Sequence, residues 1–149
     1  MAGQFDNKVR LAIYDFFVAT GRPPVAAEIA REVDALPHEV EDAYRRLADA
    51  HVIVLAPGTP YIWMANPFSA LPTPFVVTAR GRNWWGNCIW DALGILAMFD
   101  TDGSLKALCP DCGDPIELEI RQRELVTVGG DVVHFSIPAA KWWDDIGFN

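Results

Sequence analysis

The run I-W-D-A-L-G-I-L-A-M-F, Ile89 to Phe99, carries one charged residue, Asp91, in an otherwise apolar stretch. It is too short to cross a bilayer, which takes about 20 apolar residues, and Asp91 interrupts it. Its place is therefore a protein core, and the rest of the chain has to supply that core. The chain has the means: 149 residues, 51% of them hydrophobic, enough for one compact domain or two small lobes. The net charge of −8 is shared by both halves. It disfavours nucleic acid and anionic membrane as partners, since both need a cationic surface. The N-terminal M-A-G-Q-F-D-N-K has no signal-peptide pattern, and the three cysteines, an odd number set close together, argue against a secreted disulfide framework. The expected setting is the cytoplasm.

Apolar residues at helical spacing predict helices over residues 7–20, 25–33 and 37–50, with Gly21 ending the first and Pro23 and Pro24 opening the second. H-V-I-V-L and Y-I-W-M flank A-P-G-T-P, a hairpin signal. Three helices and a hairpin make a winged-helix-like lobe over residues 1–65. Its third helix opens P-H-E-V-E-D, with three carboxylates where a DNA reader would meet phosphates. A structural or protein-contact role is favoured over DNA reading. Residues 66–79 form a proline-rich linker or strap and a first core strand, F-V-V-T-A. Residues 80–149 form the core: a helix over most of Asn83–Phe99, then strands at S-L-K-A-L-C, P-I-E-L-E-I, L-V-T-V and V-V-H-F-S-I. K-W-W-D-D-I-G-F closes it as a short helix or docked tail. The expected class is α+β, with a mixed β-sheet and a site-bearing helix.

Residues three apart share a helix face, so Cys88 and Asp91 belong to one small site. With Asn87 as N-cap, Cys88 falls in the first turn, where the dipole and free N–H groups favour a thiolate. Trp84, Trp85 and Trp90 are near enough in sequence to wall it. An apolar wall and a nearby thiolate both favour the protonated carboxyl. A protonated acid beside a soft nucleophile can deliver a proton to an atom held by sulfur. The plain alternative is an inert buried cysteine with Asp91 capping a backbone group.

At W-G-N-C-I-W-D-A-L the chain resembles the organomercurial (alkylmercury) lyase family. That family carries C-x-x-D at the start of a core helix, a further cysteine about twenty residues on before a strand, and a V-H-F strand near the end. Cys88 and Asp91, Cys109, and V-V-H-F-S match these in turn. The resemblance implies a winged-helix-like lobe ahead of the core, Cys88 as mercury ligand and nucleophile, and Asp91 as proton donor. It implies no organic cofactor, with Hg(II) as substrate metal or product. One departure stands out. The family's second catalytic cysteine, shortly before V-H-F, is replaced by Gly129, Gly130 or Asp131. Cys112 and His134 are the candidate substitutes, although imidazole suits mercury poorly and His134 fits a structural strand residue better.

Cys109 and Cys112 form C-P-D-C-G, half of a structural zinc site, for which Cys88, His134 or a second subunit could complete the ligand set. His38 and His51 read as surface groups, and Trp142 and Trp143 as packing anchors. The leading function is an alkylmercury-lyase-like protein with an altered site, acting on a small organometal or other small apolar substrate. The alternatives are a thiol-based metal-binding or sensing protein, and more weakly a transcription regulator. A homodimer is compatible with all three.

Overall fold

A computed structural model describes residues 3–126, 129–130 and 132–147. The three helices form where the apolar spacing places them: α1 (Gln4–Thr20), α2 (Ala26–Val33) and α3 (Pro37–Asp49). Each begins alike. The residue three after the N-cap is acidic, and its carboxylate accepts the N-cap N–H: Asp6 from Gly3 at 3.4 Å, Glu28 from Val25 at 3.0 Å, Glu39 from Leu36 at 2.8 Å. This satisfies a backbone donor that helix geometry leaves free and sets negative charge at the positive end of the dipole. Arg46 of α3 grips Asp6 of α1 at 2.6 Å, and this guanidinium holds the Asp6 carboxyl below its ordinary pKa despite burial. Val9, Ile13 and Phe17 of α1 meet Ile29, Val40 and Leu47 in a sealed interior.

A small antiparallel sheet follows, β1 (Val54–Leu55), β2 (Ile62–Ala65) and β3 (Phe68–Ser69), in that order. The hairpin was expected; β3 was not, and it opens the segment expected as a linker. Its Phe68 is fully buried, so this part of the segment is packed rather than a free linker.

The core sheet has five strands in the order β5-β4-β6-β7-β8: β4 (Val76–Ala79), β5 (Arg82–Trp85), β6 (Gly103–Leu108), β7 (Pro115–Arg121) and β8 (Glu124–Leu125). Every described pairing is antiparallel. The α+β class expected from sequence holds, and the sheet is antiparallel rather than mixed. The helix expected from Asn83 starts later, as α4 (Ile89–Phe99). Arg80 and Gly81, with φ of +49° and +72°, form a tight two-residue turn that folds Arg82–Trp85 back onto β4. Strand alternation then sends Trp84 inward, 2% exposed, and Trp85 to the other face.

α4 lies over β3, β4 and β6, burying Ala92, Ile95, Leu96 and Phe99. Gly103 permits the approach, since a Cβ there would stand 2.6 Å from Leu96 Cδ2. At the far end Arg80 donates to the Phe99 carbonyl at 2.5 Å, a cation on the negative end of the helix. Two expected strands differ. Leu125 belongs to β8, but Thr127 and Val128 lie outside the described residues. Residues 132–137 are irregular rather than a strand. Aromatic contacts hold this segment in place of ladder bonds: Phe135 lies 5.8 Å from the Trp90 ring and 5.5 Å from that of Trp142. The closing K-W-W forms a 3₁₀ turn, Ala139–Asp144, with Trp143 stacked on His51 at 4.1 Å. No helix among the described residues is long and apolar enough to cross a membrane.

Candidate functional site

The start of α4 faces β2 and the irregular C-terminal segment across a cavity of about 160 Å³. Cys88, Trp90 and Asp91 line it from the helix, Met64 from β2, and His134 and Phe135 from the C-terminal side.

Cys88 is itself the N-cap, in extended conformation at φ −144°, and Asn87 precedes it. The sulfur therefore sits one step before the first helical turn expected for it. Asp91 then occupies the third helical position, the place held by Asp6, Glu28 and Glu39 in the other helices. Here the Asn87 side chain, the Cys88 thiol and the Asn87 backbone N–H lie near enough to favour the ionised carboxyl. Burial pushes the Asp91 carboxyl above its ordinary pKa, and these three donors only partly oppose it.

Burial also pushes the Cys88 thiol up. The N–H groups of Asp91 and Trp90 pull it down, without reaching the geometry of a full cap bond, while the Asp91 charge pushes it up again. The dipole argument for a resting thiolate is overruled, because burial and a carboxylate outweigh two partial charges. Burial thus favours the thiol form of Cys88, with the Asp91 carboxyl group beside it. Around it, Asn87 donates to Asn66 Oδ1 at 3.0 Å, and Tyr14 donates to the Asn66 carbonyl at 2.9 Å, tying the site to α1.

The other predicted site residues divide. Trp90 lines the cavity, edge-on to Phe135 and 55% exposed. Trp84 does not: it is core, its indole N–H donating to the Phe17 carbonyl at 2.8 Å. Trp85 also falls outside the lining. His134 lines the cavity, and Cys112, the other candidate substitute, does not. Cys109 and Cys112 sit in the β6–β7 turn, apart from the lining residues. Among the described residues no three His, Cys, Asp or Glu gather to hold a metal, so zinc at Cys109/Cys112 lacks its remaining ligands. Met64, Asn66, Ile137, Trp142 and Ile146 also line the cavity and were not anticipated. The pair K-W-W was the one available signal, and it read as packing.

A lone sulfur nucleophile, an acid group beside it and a largely apolar wall make a site for binding a soft atom and protonating what that atom carries. The family model described as alkylmercury lyase matches residues 68–148. A solved structure described as the mercury-bound form of MerB2 is similar at a TM-score of 0.64 and 20% identity, over 80% of this chain and 59% of that one. The present chain thus spans about three-fifths of that protein's length, and the likeness concerns the fold. No curated protein matches the chain.

Proposed function

The chain belongs to the alkylmercury lyase family, and from that premise we propose that it takes a small organomercurial onto Cys88 and protonates the mercury-bound carbon from Asp91. The observation that carries this reading is that Cys88 and Asp91 line one cavity side by side, with burial the largest influence on each and raising both pKa values. Cys88 sulfur forms a bond to mercury as the anionic ligand that accompanied R–Hg leaves, and the thiol proton passes to the adjacent Asp91 carboxylate. Sulfur then pushes electron density toward the carbon. The carbon–mercury bond breaks as its electron pair takes the Asp91 proton. Hydrocarbon leaves, Asp91 is again a carboxylate, and Hg(II) remains on Cys88. A cavity near 150 Å³ accommodates benzene, so the substrate is an alkyl or single-ring aryl mercurial.

The second reading, a thiol that binds a soft metal without turnover, is favoured by one feature. Cys88 is the only cysteine lining the cavity, and Gly129, Gly130 or Asp131 stands in the sequence where the resembled lyases carry another sulfur. Met64 thioether and His134 imidazole are the softer of the remaining donors, beside the side-chain oxygens of Asn66, Asn87, Asp91 and Ser136. One experiment separates the two. Reduced protein is given phenylmercury in heavy water, and head-space benzene is measured by mass spectrometry. The lyase reading expects monodeuterated benzene, lost in Cys88→Ser and reduced by about 100-fold or more in Asp91→Asn. Stoichiometric mercury uptake without benzene would select the binder.

A further inference from the structure

The mechanism leaves one pair of nucleophiles unused. Cys109, half-buried, and Cys112, exposed, sit on the β6–β7 turn, outside the cavity. The turn is closed at both ends, Cys109 N–H to the Asp114 carbonyl at 2.9 Å and Gly113 N–H to the Cys109 carbonyl at 2.9 Å. Gly113 adopts φ +76°, where a side chain would be strained. The closed turn thus brings Cys109 and Cys112, three residues apart, to one end of the β6–β7 hairpin. The N–H groups of Cys112 and Asp111 point to the Cys109 sulfur, and the Cys112 thiol hydrogen-bonds to it. These contacts hold Cys109 below the ordinary thiol range. On Cys112 the Asp114 N–H pulls down, but the hydrogen bonds to Cys109 and the Asp114 side chain together keep it up. The outcome is one thiolate-prone sulfur, one proton-holding sulfur, and the carboxylates of Asp111 and Asp114 beside them.

We propose that the C-P-D-C-G turn is a second soft-metal site, a two-sulfur chelate for a thiophilic cation such as Hg(II), separate from the Cys88 cavity. The ligand count sets the ion. Zinc requires four ligands, and among the described residues no three His, Cys, Asp or Glu side chains, Asp111 and Asp114 included, converge to hold one. A soft d¹⁰ ion is content with two thiolates. In the exchange, Cys109 and Cys112 each form one sulfur–mercury bond. The two thiolates that delivered the ion leave, and the thiol protons of the pair pass to them. No electron changes hands. The exposed Cys112 side chain can swing to open the sulfur–sulfur distance. For a protein that releases or sequesters mercury, this turn is an accessible station outside the cavity.

The test uses full-length Cys88→Ser protein, reduced and handled anaerobically, so that failure of the cavity chemistry cannot affect the result. Hg(II) is presented as its glutathione complex in excess glutathione, the protein is desalted, and mercury per chain is measured. The expected result is about one ion per chain, retained roughly 100-fold more weakly when either Cys109→Ser or Cys112→Ser is added, because the chelate's effective concentration is lost. Unchanged circular dichroism would show that these turn variants fold. No retained mercury in the Cys88→Ser protein, or equal retention without the turn cysteines, would overturn the proposal. So would one ion per two chains accompanied by dimerisation, since that would be a shared four-sulfur site.

Discussion

At the scale of single residues the chain contains two thiols tuned in opposite directions. Cys88 is raised by burial and by the Asp91 carboxylate, and Cys109 is lowered by backbone donors. Iodoacetamide labelling followed by peptide mass spectrometry across pH should therefore find Cys109 modified at lower pH than Cys88. Asp91→Asn removes the charge and the acceptor that hold the Cys88 proton, so its labelling midpoint should move down; an unmoved midpoint would mean that the two groups do not interact. Two carboxyl groups are likewise opposed in their effect on stability. Asp91 is raised on folding, chiefly by desolvation, so the stability tied to its proton is present below the ordinary carboxyl pKa of 3.8 and lost as pH rises through its higher folded value. Asp6 is lowered, chiefly by Arg46, so its contribution is present above 3.8 and lost as pH falls through its lower folded value. Melting temperatures across pH should show Asp91→Asn stabilising at neutral pH and neutral in acid. Asp6→Asn should cost about 1 kcal/mol at neutral pH, the half-exposed Arg46 limiting the loss, and little in strong acid.

At the scale of elements, one capping habit accounts for the position of the site. Asp6, Glu28 and Glu39 each sit three residues past the N-cap and close on a backbone N–H. Asp91 has the same place in α4, where the N-cap is a cysteine. The C-x-x-D spacing was legible in the sequence because it is the spacing of a helix start. The three lobe helices were legible to within a few residues, since their apolar faces repeat cleanly. The strand at Arg82–Trp85 was not: two adjacent tryptophans satisfy any helix face, and only the R-G dipeptide marked the turn that made them a strand. The cavity's other walls, Met64 and residues 134–146, come from segments distant in sequence and linked by ring packing, which no local period encodes. What holds α4 to that turn is Gly86. A Cβ there would lie 2.7 Å from the Ala92 nitrogen and 2.9 Å from its Cα, backbone that cannot swing aside. Gly86→Ala should cost about 1–3 kcal/mol in denaturant melts and displace Cys88 with the helix, lowering mercurial turnover along with stability.

At the scale of the molecule, the question is whether the lobe and the sheet are separable. The family model begins at residue 68, which invites cutting the chain there. The packing argues otherwise. Phe68 stacks on Phe17 of α1 at 5.2 Å and reaches Phe99 of α4 at 6.1 Å, and Phe99 meets Trp84 of β5 at 4.7 Å. The Phe17 carbonyl accepts both the Gly21 N–H that ends α1 and the Trp84 indole N–H, each at 2.8 Å. Removing the lobe would leave a buried indole donor unpaired and expose Phe68, Trp84 and Phe99 together, on a sheet whose outer strands β7 and β8 bury little. A fragment of residues 66–149 should therefore give a collapsed amide spectrum and no cooperative urea transition. In the full chain, Phe68→Ala should cost about 3–5 kcal/mol and lower the melting of the helices and of the sheet in step, as read by far-ultraviolet circular dichroism and tryptophan fluorescence. Two separated transitions, or a fragment with dispersed resonances, would show that the sheet carries its own core and that the site needs no support from α1.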